Sequence, residues 1–333
     1  MGADRTPAAG EEGGRVGRAV RRTLVAALTA CLLTACLLTA CSGSGSSPRE
    51  RSGPGSPSAG SPTAAPGDPS PSPTSRPERA APVVPRVPAR GAAALARQID
   101  AAADTLRHPA GPHDVRRSAE FQQLAVRDLA QRGAAYRDAV TTRLRPGVAR
   151  SVRSDVRAAR LLRALGDPRP GLPRWRIVAP PPPATLLAHY RRAQRRTGVP
   201  WTHLAAIHLV ETRMGRIRGT STAGARGPMQ FLPATWAIYG AGGDIEDPRD
   251  AILAAGRLLR HHGAPGDMAG ALWHYNPSDN YVGAVLEYAR AMQRSPAAYE
   301  AYWHWRVLYR HTGGTHVLPV GYPTRRAVRL PGP

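Results

Sequence analysis

From residue 91 onward, apolar residues recur at helical spacing through most of the chain, and the stripes they form mark out its elements. A first helix is predicted near 92–107. A second is predicted near 118–144, with Leu129, Tyr136, Val140 and Leu144 on one side. In a third, near 148–165, the stripe is Val148, Val152, Val156, Ala159, Leu162 and Leu165. Arg145-Pro146-Gly147 separates the last two as a tight helical hairpin. Pro180 to Pro183 forms a stiff strap, after which helices are predicted near 184–197, 200–214, 234–239, 248–262, 266–274, 278–293 and 296–304. Trp303, Trp305 and Tyr309, then Gly313-Gly314 and Val317 to Val320, predict a small β-hairpin, with a loose tail after Tyr322. The chain is therefore mainly α with a small C-terminal β-hairpin.

Upstream of residue 91 the pattern changes twice. Arg15, Arg18, Arg21 and Arg22 precede an uncharged run from Thr23 to Ala40, the basic and apolar regions of an export signal. The tetrapeptide Leu-Thr-Ala-Cys occurs three times, ending at Cys31, Cys36 and Cys41. Small residues before a cysteine at the end of such a run resemble the lipobox of bacterial lipoproteins, in which the cysteine is diacylated and becomes the mature N-terminus. Cys41 fits best, because the apolar run ends there and a Ser/Gly tether begins. A retained membrane helix is the alternative, since about 18 apolar residues is near the spanning minimum. Either way the rest of the chain is expected outside the cytoplasm; Arg21-Arg22 is a weak match to a twin-arginine signal. Residues 42–90 are rich in Ser, Pro and Gly with few large apolar side chains, the composition of a disordered linker. In an extended state such a stretch reaches on the order of 150 Å. The expected layout is a lipoprotein signal over 1–41, a linker over 42–90, a helical module over 91–176, a catalytic domain over 177–322 and a tail over 323–333.

Charge changes this picture little. All 46 basic residues are arginine, against 23 acidic ones, for a net charge of +23. Nucleic acid is a possible partner of so basic a chain. The arginines are spread along the sequence, no nucleic-acid motif accompanies them and the N-terminus directs export, so an anionic cell envelope fits better. All three cysteines fall in the N-terminal apolar run, which leaves the remainder without a disulfide framework, thiol nucleophile or zinc cluster.

The chemistry concentrates between Trp201 and Gln230. After Pro200, Leu204, Ile207, His208 and Glu211 follow at helical spacing, so Glu211 extends an apolar stripe. Partial burial and a position near the helix C-terminus both disfavour its charged form and raise its pKa. A carboxylic acid that stays protonated at neutral pH is what protonation of a leaving-group oxygen requires. The plain alternative is a last-turn glutamate that swings out to pair with Arg213 or Arg216. Gly215, Gly219, Gly224 and Gly227 then mark an open loop that lets backbone approach a ligand. His208 and Glu211 also read as His-x-x-Glu, but without a third ligand a core histidine is the better reading. Asp244, Glu246 and Asp247 are the candidates for a second catalytic carboxylate or a calcium loop. They lack the spacing of an EF-hand, and Asp247-Pro248 reads as a helix cap.

Glu211-Thr212, Ser221 with Gly224-Ala225, Gly227 to Phe231 and Ala271 to Asn276 together resemble the lytic transglycosylases of bacterial cell walls, closest to the membrane-bound transglycosylase B-like variant of the motif. The resemblance is strongest over about 184–294. Thr212 stands where that family usually has Ser and keeps the hydroxyl. The resemblance implies a goose-type lysozyme-like fold and no cofactor. It also implies a lone acid, Glu211, that protonates the oxygen between N-acetylmuramic acid and N-acetylglucosamine and then, as carboxylate, deprotonates the muramic C6 hydroxyl. Ser221 and Gln230 would bond sugar or N-acetyl groups, Met229 would line the cleft, Tyr275 would orient or tune Glu211, and Asn276 would bind substrate. Tyr281 is suggestive of the same family but equally fits a core. The C-terminal aromatics fit core packing, with sugar stacking as the alternative. Expected partners are peptidoglycan strands and, through the lipid anchor, the outer face of the cytoplasmic membrane; the chain is expected to be a monomer. Two rivals are a hydrolytic muramidase, which needs a second carboxylate, and a non-catalytic wall-binding lipoprotein, which needs no acid at all.

Overall fold

Gly133 divides the long second helix that the periodicity predicts. Arg132 and Gly133 are both extended, so two helices result, α2 (Pro112–Gln131) and α3 (Ala134–Thr141). A glycine in a helix interior costs about 1 kcal/mol relative to alanine, and here the chain turns at it instead. The start of α2 also lies further upstream than the stripe indicates: Pro112 occupies its first turn, and Asp114 there faces the positive end of the helix dipole.

The computed structural model describes residues 87–332, so Cys41 and the linker up to residue 86 lie outside the described residues. The remaining elements follow the predicted order closely. They are α1 (Ala92–Arg107), α4 (Pro146–Ala164), β1 (Arg176–Ile177), α5 (Pro183–Thr197), α6 (Trp201–Thr212), β2 (Ile217–Arg218), α7 (Pro233–Tyr239), α8 (Pro248–His261), α9 (Met268–Tyr275), α10 (Asp279–Arg294) and α11 (Pro296–His304), then β3 (Val307–His311), β4 (Gly314–Leu318) and β5 (Val328–Arg329). The fold is mainly helical with a small antiparallel sheet at its C-terminal end. Among the described residues no helix is long and apolar enough to cross a membrane.

β3 and β4 form the expected hairpin, Val307 opposite Leu318 and His311 opposite Gly314. The tail after Tyr322 differs from expectation. β5 pairs with β4, Leu330 N–H donates to the Thr315 carbonyl, and an Arg127 Nη2 donates to the Pro331 carbonyl at 2.5 Å. Main-chain bonds hold this segment while Val328 stays 58% exposed, so its apolar pattern carries no sign of them.

The largest core gathers around α6, between α5, α8 and α10. Leu204, Ala205, Ala206, Ile207 and Leu209 are consecutive or nearly so, and all are fully buried. A helix buried all round is a central element and not an amphipathic one, so the predicted stripe is only one side of a helix that packs on every side. A second core joins α1, α2 and α4 through Leu95, Ile99, Phe121, Leu129 and Val152. The two halves interlock. α4 runs along α10, where a Cβ on Gly283 would meet Leu161 Cδ1 at 2.9 Å. The Gln123 amide donates to the Arg306 carbonyl at 2.7 Å and accepts from its N–H at 2.9 Å. Ala119 and Ala158, from the N-terminal helices, belong to the core around α6.

Candidate active site

Glu211 occupies the last turn of α6, and the backbone leaves that helix abruptly. Arg213, Met214 and Gly215 take left-handed conformations in succession, with φ of 54°, 60° and 82°. Left-handed backbone costs roughly 1 kcal/mol or more for a residue with a side chain. Burial of Met214, fully enclosed beside Tyr190, offsets that cost. The Thr212 hydroxyl fixes the loop at both ends, donating to the Pro228 carbonyl at 2.6 Å and accepting from Gly215 N–H at 3.1 Å. This is the position at which the resembling family usually carries Ser, and the hydroxyl does the bonding.

At the far end of the loop Gly227 has φ 74°, and a Cβ there would lie 1.9 Å from the Ile245 carbonyl oxygen. Only glycine fits. Ser221 closes a turn within the loop, its Oγ accepting from Ala225 N–H at 3.0 Å. Gln230 is half-buried with φ 50°, and its amide donates to the Gly227 carbonyl at 2.9 Å. Asn276 is largely buried at the end of α9, where its carbonyl accepts from Ser278 N–H at 2.8 Å.

Two expected roles are corrected. The Met229 side chain is fully buried in the core around α6 and does not line a cleft. Its thioether gains more from apolar neighbours than from a polar opening. The hydroxyl bonded to Glu211 belongs to Tyr281, which donates to Oε1 at 2.7 Å. Tyr275 donates instead to the Met229 carbonyl at 2.5 Å. The reason lies in the helices: α10 packs along α6 and brings Tyr281, in its first turn, to the carboxyl, while Tyr275 ends α9 and meets the loop. The two rings are parallel, 6.3 Å apart, so Tyr275 backs Tyr281. Ser278, capping α10 by accepting from Tyr281 N–H, was the available sequence signal that Tyr281 opens a helix.

Glu211 is 8% exposed. Burial pushes its pKa up to about 8, partly countered by the Tyr281 hydroxyl, which favours the carboxylate. Arg213 and Arg216 do not draw it out. Their guanidinium groups lie over the Trp305 and Trp303 rings, and Arg216 also donates to the Trp303 carbonyl at 2.6 Å. Trp303 in turn donates from Nε1 to the Pro181 carbonyl at 2.9 Å, and Trp305 is 3% exposed, so these aromatics are structural. The arrangement is an uncharged acid at neutral pH, fixed by a tyrosine at the foot of a glycine-rich loop.

The neighbouring candidates fall into place around it. His208 is fully buried with Nδ1 2.6 Å from the Tyr190 hydroxyl, and burial pushes its pKa down to about 3. It is a neutral core histidine. Asp247 accepts from Arg249 and Asp250 N–H groups at 2.8 and 3.1 Å and caps α8. Asp244 Oδ1 accepts from Glu246 N–H, and the exposed Glu246 carboxylate lies 3.9 Å from Arg218 and 3.7 Å from Arg226. Among the described residues no three His, Cys, Asp or Glu side chains gather as a metal-binding set. No family model, curated protein or solved structure matches the chain.

Proposed function

We propose that the protein is a peptidoglycan lytic transglycosylase with a goose-type lysozyme-like catalytic fold, acting through Glu211 as its sole acid and base. The observation that supports this reading is the state of Glu211: enclosed, held at Oε1 by Tyr281, and with a pKa pushed up to about 8. Such a group enters the reaction protonated, and its second role follows from the first.

Glu211 gives its proton to the glycosidic oxygen as the bond from that oxygen to C1 of N-acetylmuramic acid breaks. The resulting carboxylate then takes the proton of the muramic C6 hydroxyl while O6 bonds to C1. The proton lost in the first step is recovered in the second, no water is consumed, and the product carries a 1,6-anhydro end. The internal nucleophile is supplied at high effective concentration by the sugar itself. This sequence needs no second carboxylate, which agrees with the structural duties of Asp244 and Asp247. Ser221, Gln230 and Asn276 serve as substrate contacts in this reading, and Met229 contributes its backbone. Cys41, lipidated, would hold the protein on the outer face of the cytoplasmic membrane, facing the wall.

Mass analysis of muropeptides released from purified peptidoglycan tests the proposal. The expected products are one water lighter than hydrolysis products and resist borohydride reduction. Predominantly reducible ends would make water the nucleophile and the chain a muramidase, with Glu246 the first residue to examine as its base.

A further inference from the structure

Arg127, Arg163 and Arg310 lie far apart in the sequence, on α2, α4 and β3, and the fold brings them to one corner. Arg310 donates from Nη1 to the carbonyls of Arg163 and Gly166, at 2.8 and 2.7 Å, where α4 ends. Its own carbonyl accepts from Arg169 N–H at 3.1 Å, and Thr315, opposite it in the hairpin, accepts from Leu330 N–H. Arg127 donates from Nη2 to the carbonyl of Pro331, the next residue, so α2 reaches the same corner.

All three side chains are half-buried, and among the described residues no carboxylate forms an ion pair with any of them. Asp128, beside Arg127 in the chain, pairs with Arg132 at 3.7 Å, and Asp167 is exposed. Burial lowers the pKa of each arginine. At Arg127 the neighbouring Asp128 partly opposes this and Arg163 adds to it; at Arg310 the charge of Arg163 adds to it and Asp167 partly opposes it. The guanidinium of Arg163, Nη1 of Arg127 and Nη2 of Arg310 have no hydrogen-bond partner among the described residues, and solvent reaches them; the Nε atoms of Arg127 and Arg310 are closed off. Three cations half out of water, with donors left open and no counter-charge paired to them, fit an anion.

We propose that these three arginines bind a dianionic phosphate group, inorganic or carried as a monoester, through Arg163 and the open Nη groups of Arg127 and Arg310. The planar fork of a guanidinium matches a pair of phosphate oxygens. Three unpaired charges favour a dianion over the single charge of a phosphodiester. The site stands apart from the Glu211 reaction and does not depend on it. It gives the N-terminal helices a binding role besides their packing role.

The test uses the full chain with the arginine Cζ atoms isotopically labelled, titrated with inorganic phosphate, glycerol 3-phosphate and dimethyl phosphate at ionic strength matched with chloride. At about pH 7.5 the first two are mostly dianions, whereas dimethyl phosphate carries one charge. Phosphate or its monoester should shift the Cζ resonances of Arg127, Arg163 and Arg310 saturably. At ten times the dissociation constant it should raise the unfolding midpoint by about 3–6 °C. Dimethyl phosphate should bind about tenfold more weakly, and Arg163→Met should abolish the rise. No saturable shift of these three resonances, dimethyl phosphate as tight as the dianions, or an undiminished rise in Arg163→Met would each overturn the assignment. The wild-type resonances decide it even if the variant fails to fold.

Discussion

Replacing Tyr281 by Phe removes a hydroxyl that favours the charged form of Glu211, so the pKa of the acid should rise further above about 8. The alkaline limb of the pH–rate profile should move upward with it, and kcat should fall about three- to tenfold for the lost hydrogen bond. Tyr275→Phe, which loses a bond to the Met229 carbonyl, should leave that limb in place. A shared shift in both variants would put Tyr275 back in the role that the sequence motif gave it. Glu211→Gln should abolish nearly all turnover, since an amide neither gives nor takes the proton. It should also change how stability depends on pH. The unfolded carboxyl titrates near 4.5 and the folded one near 8, so the folded state holds the proton more tightly and wild-type stability falls as pH rises between those values. The Gln variant lacks that slope. Its advantage in unfolding free energy should grow from near zero at pH 4 to on the order of a few kcal/mol at pH 8. Denaturant unfolding at several pH values measures this, and a gap that stays constant would mean Glu211 is not the buried acid described. At this scale the sequence was legible where a residue's oddity is local: a carboxylate on an apolar stripe stands out. The partner that holds it comes from 70 residues away and does not.

Among the elements, most helix starts were legible, because Pro146, Pro183, Pro233, Pro248 and Pro296 each sit in a first turn, whereas the start at Pro112 lies upstream of the one the stripe indicates. The break at Gly133 and the pairing of β5 were not, since each rests on backbone geometry that leaves the side-chain pattern unchanged. The loop from Gly215 to Gln230 lies between these cases: its glycines announce a loop, and only the structure shows what pins it. Thr212 does so with two hydrogen bonds, both buried. Thr212→Val should therefore destabilise the fold by about 1–3 kcal/mol and lower turnover by loosening the backbone next to Glu211. Thr212→Ser should restore both, because the hydroxyl is the working group. Equal losses in Val and Ser would show that the threonine methyl matters more. Gly227→Ala meets the Ile245 carbonyl and a positive φ together, so its cost should exceed about 1 kcal/mol in equilibrium unfolding.

For the whole molecule, the question is what the N-terminal helices contribute, and three contacts answer it in structural terms. α4 lies along α10, the helix that carries Tyr281 to Glu211. Asp155 on α4 accepts from the Tyr302 hydroxyl on α11, and Gln123 on α2 holds the backbone of Arg306 just before β3. Removing residues 91–176 would expose the outer face of α10, strip Ala119 and Ala158 from the core around α6, and leave Tyr302 without its acceptor in a buried site. Summed, those losses cost free energy of the same order as a marginal domain's total stability. Residues 1–86 make no such contribution in the expected layout, where they export and tether. A chain beginning at residue 87 should thus keep the unfolding midpoint of the longer protein and its activity on soluble glycan fragments, while losing membrane attachment. In the full chain, Cys41→Ala should lose acyl labelling and membrane attachment in the same way. A chain beginning at residue 177 should be insoluble or unfold many degrees lower, and any activity it shows should be a small fraction of the parent's. If that shorter chain instead folded with an unchanged midpoint and full turnover, the helical module would be an independent domain. The interlocking of α4 with α10 would then be incidental to how Tyr281 is held against Glu211.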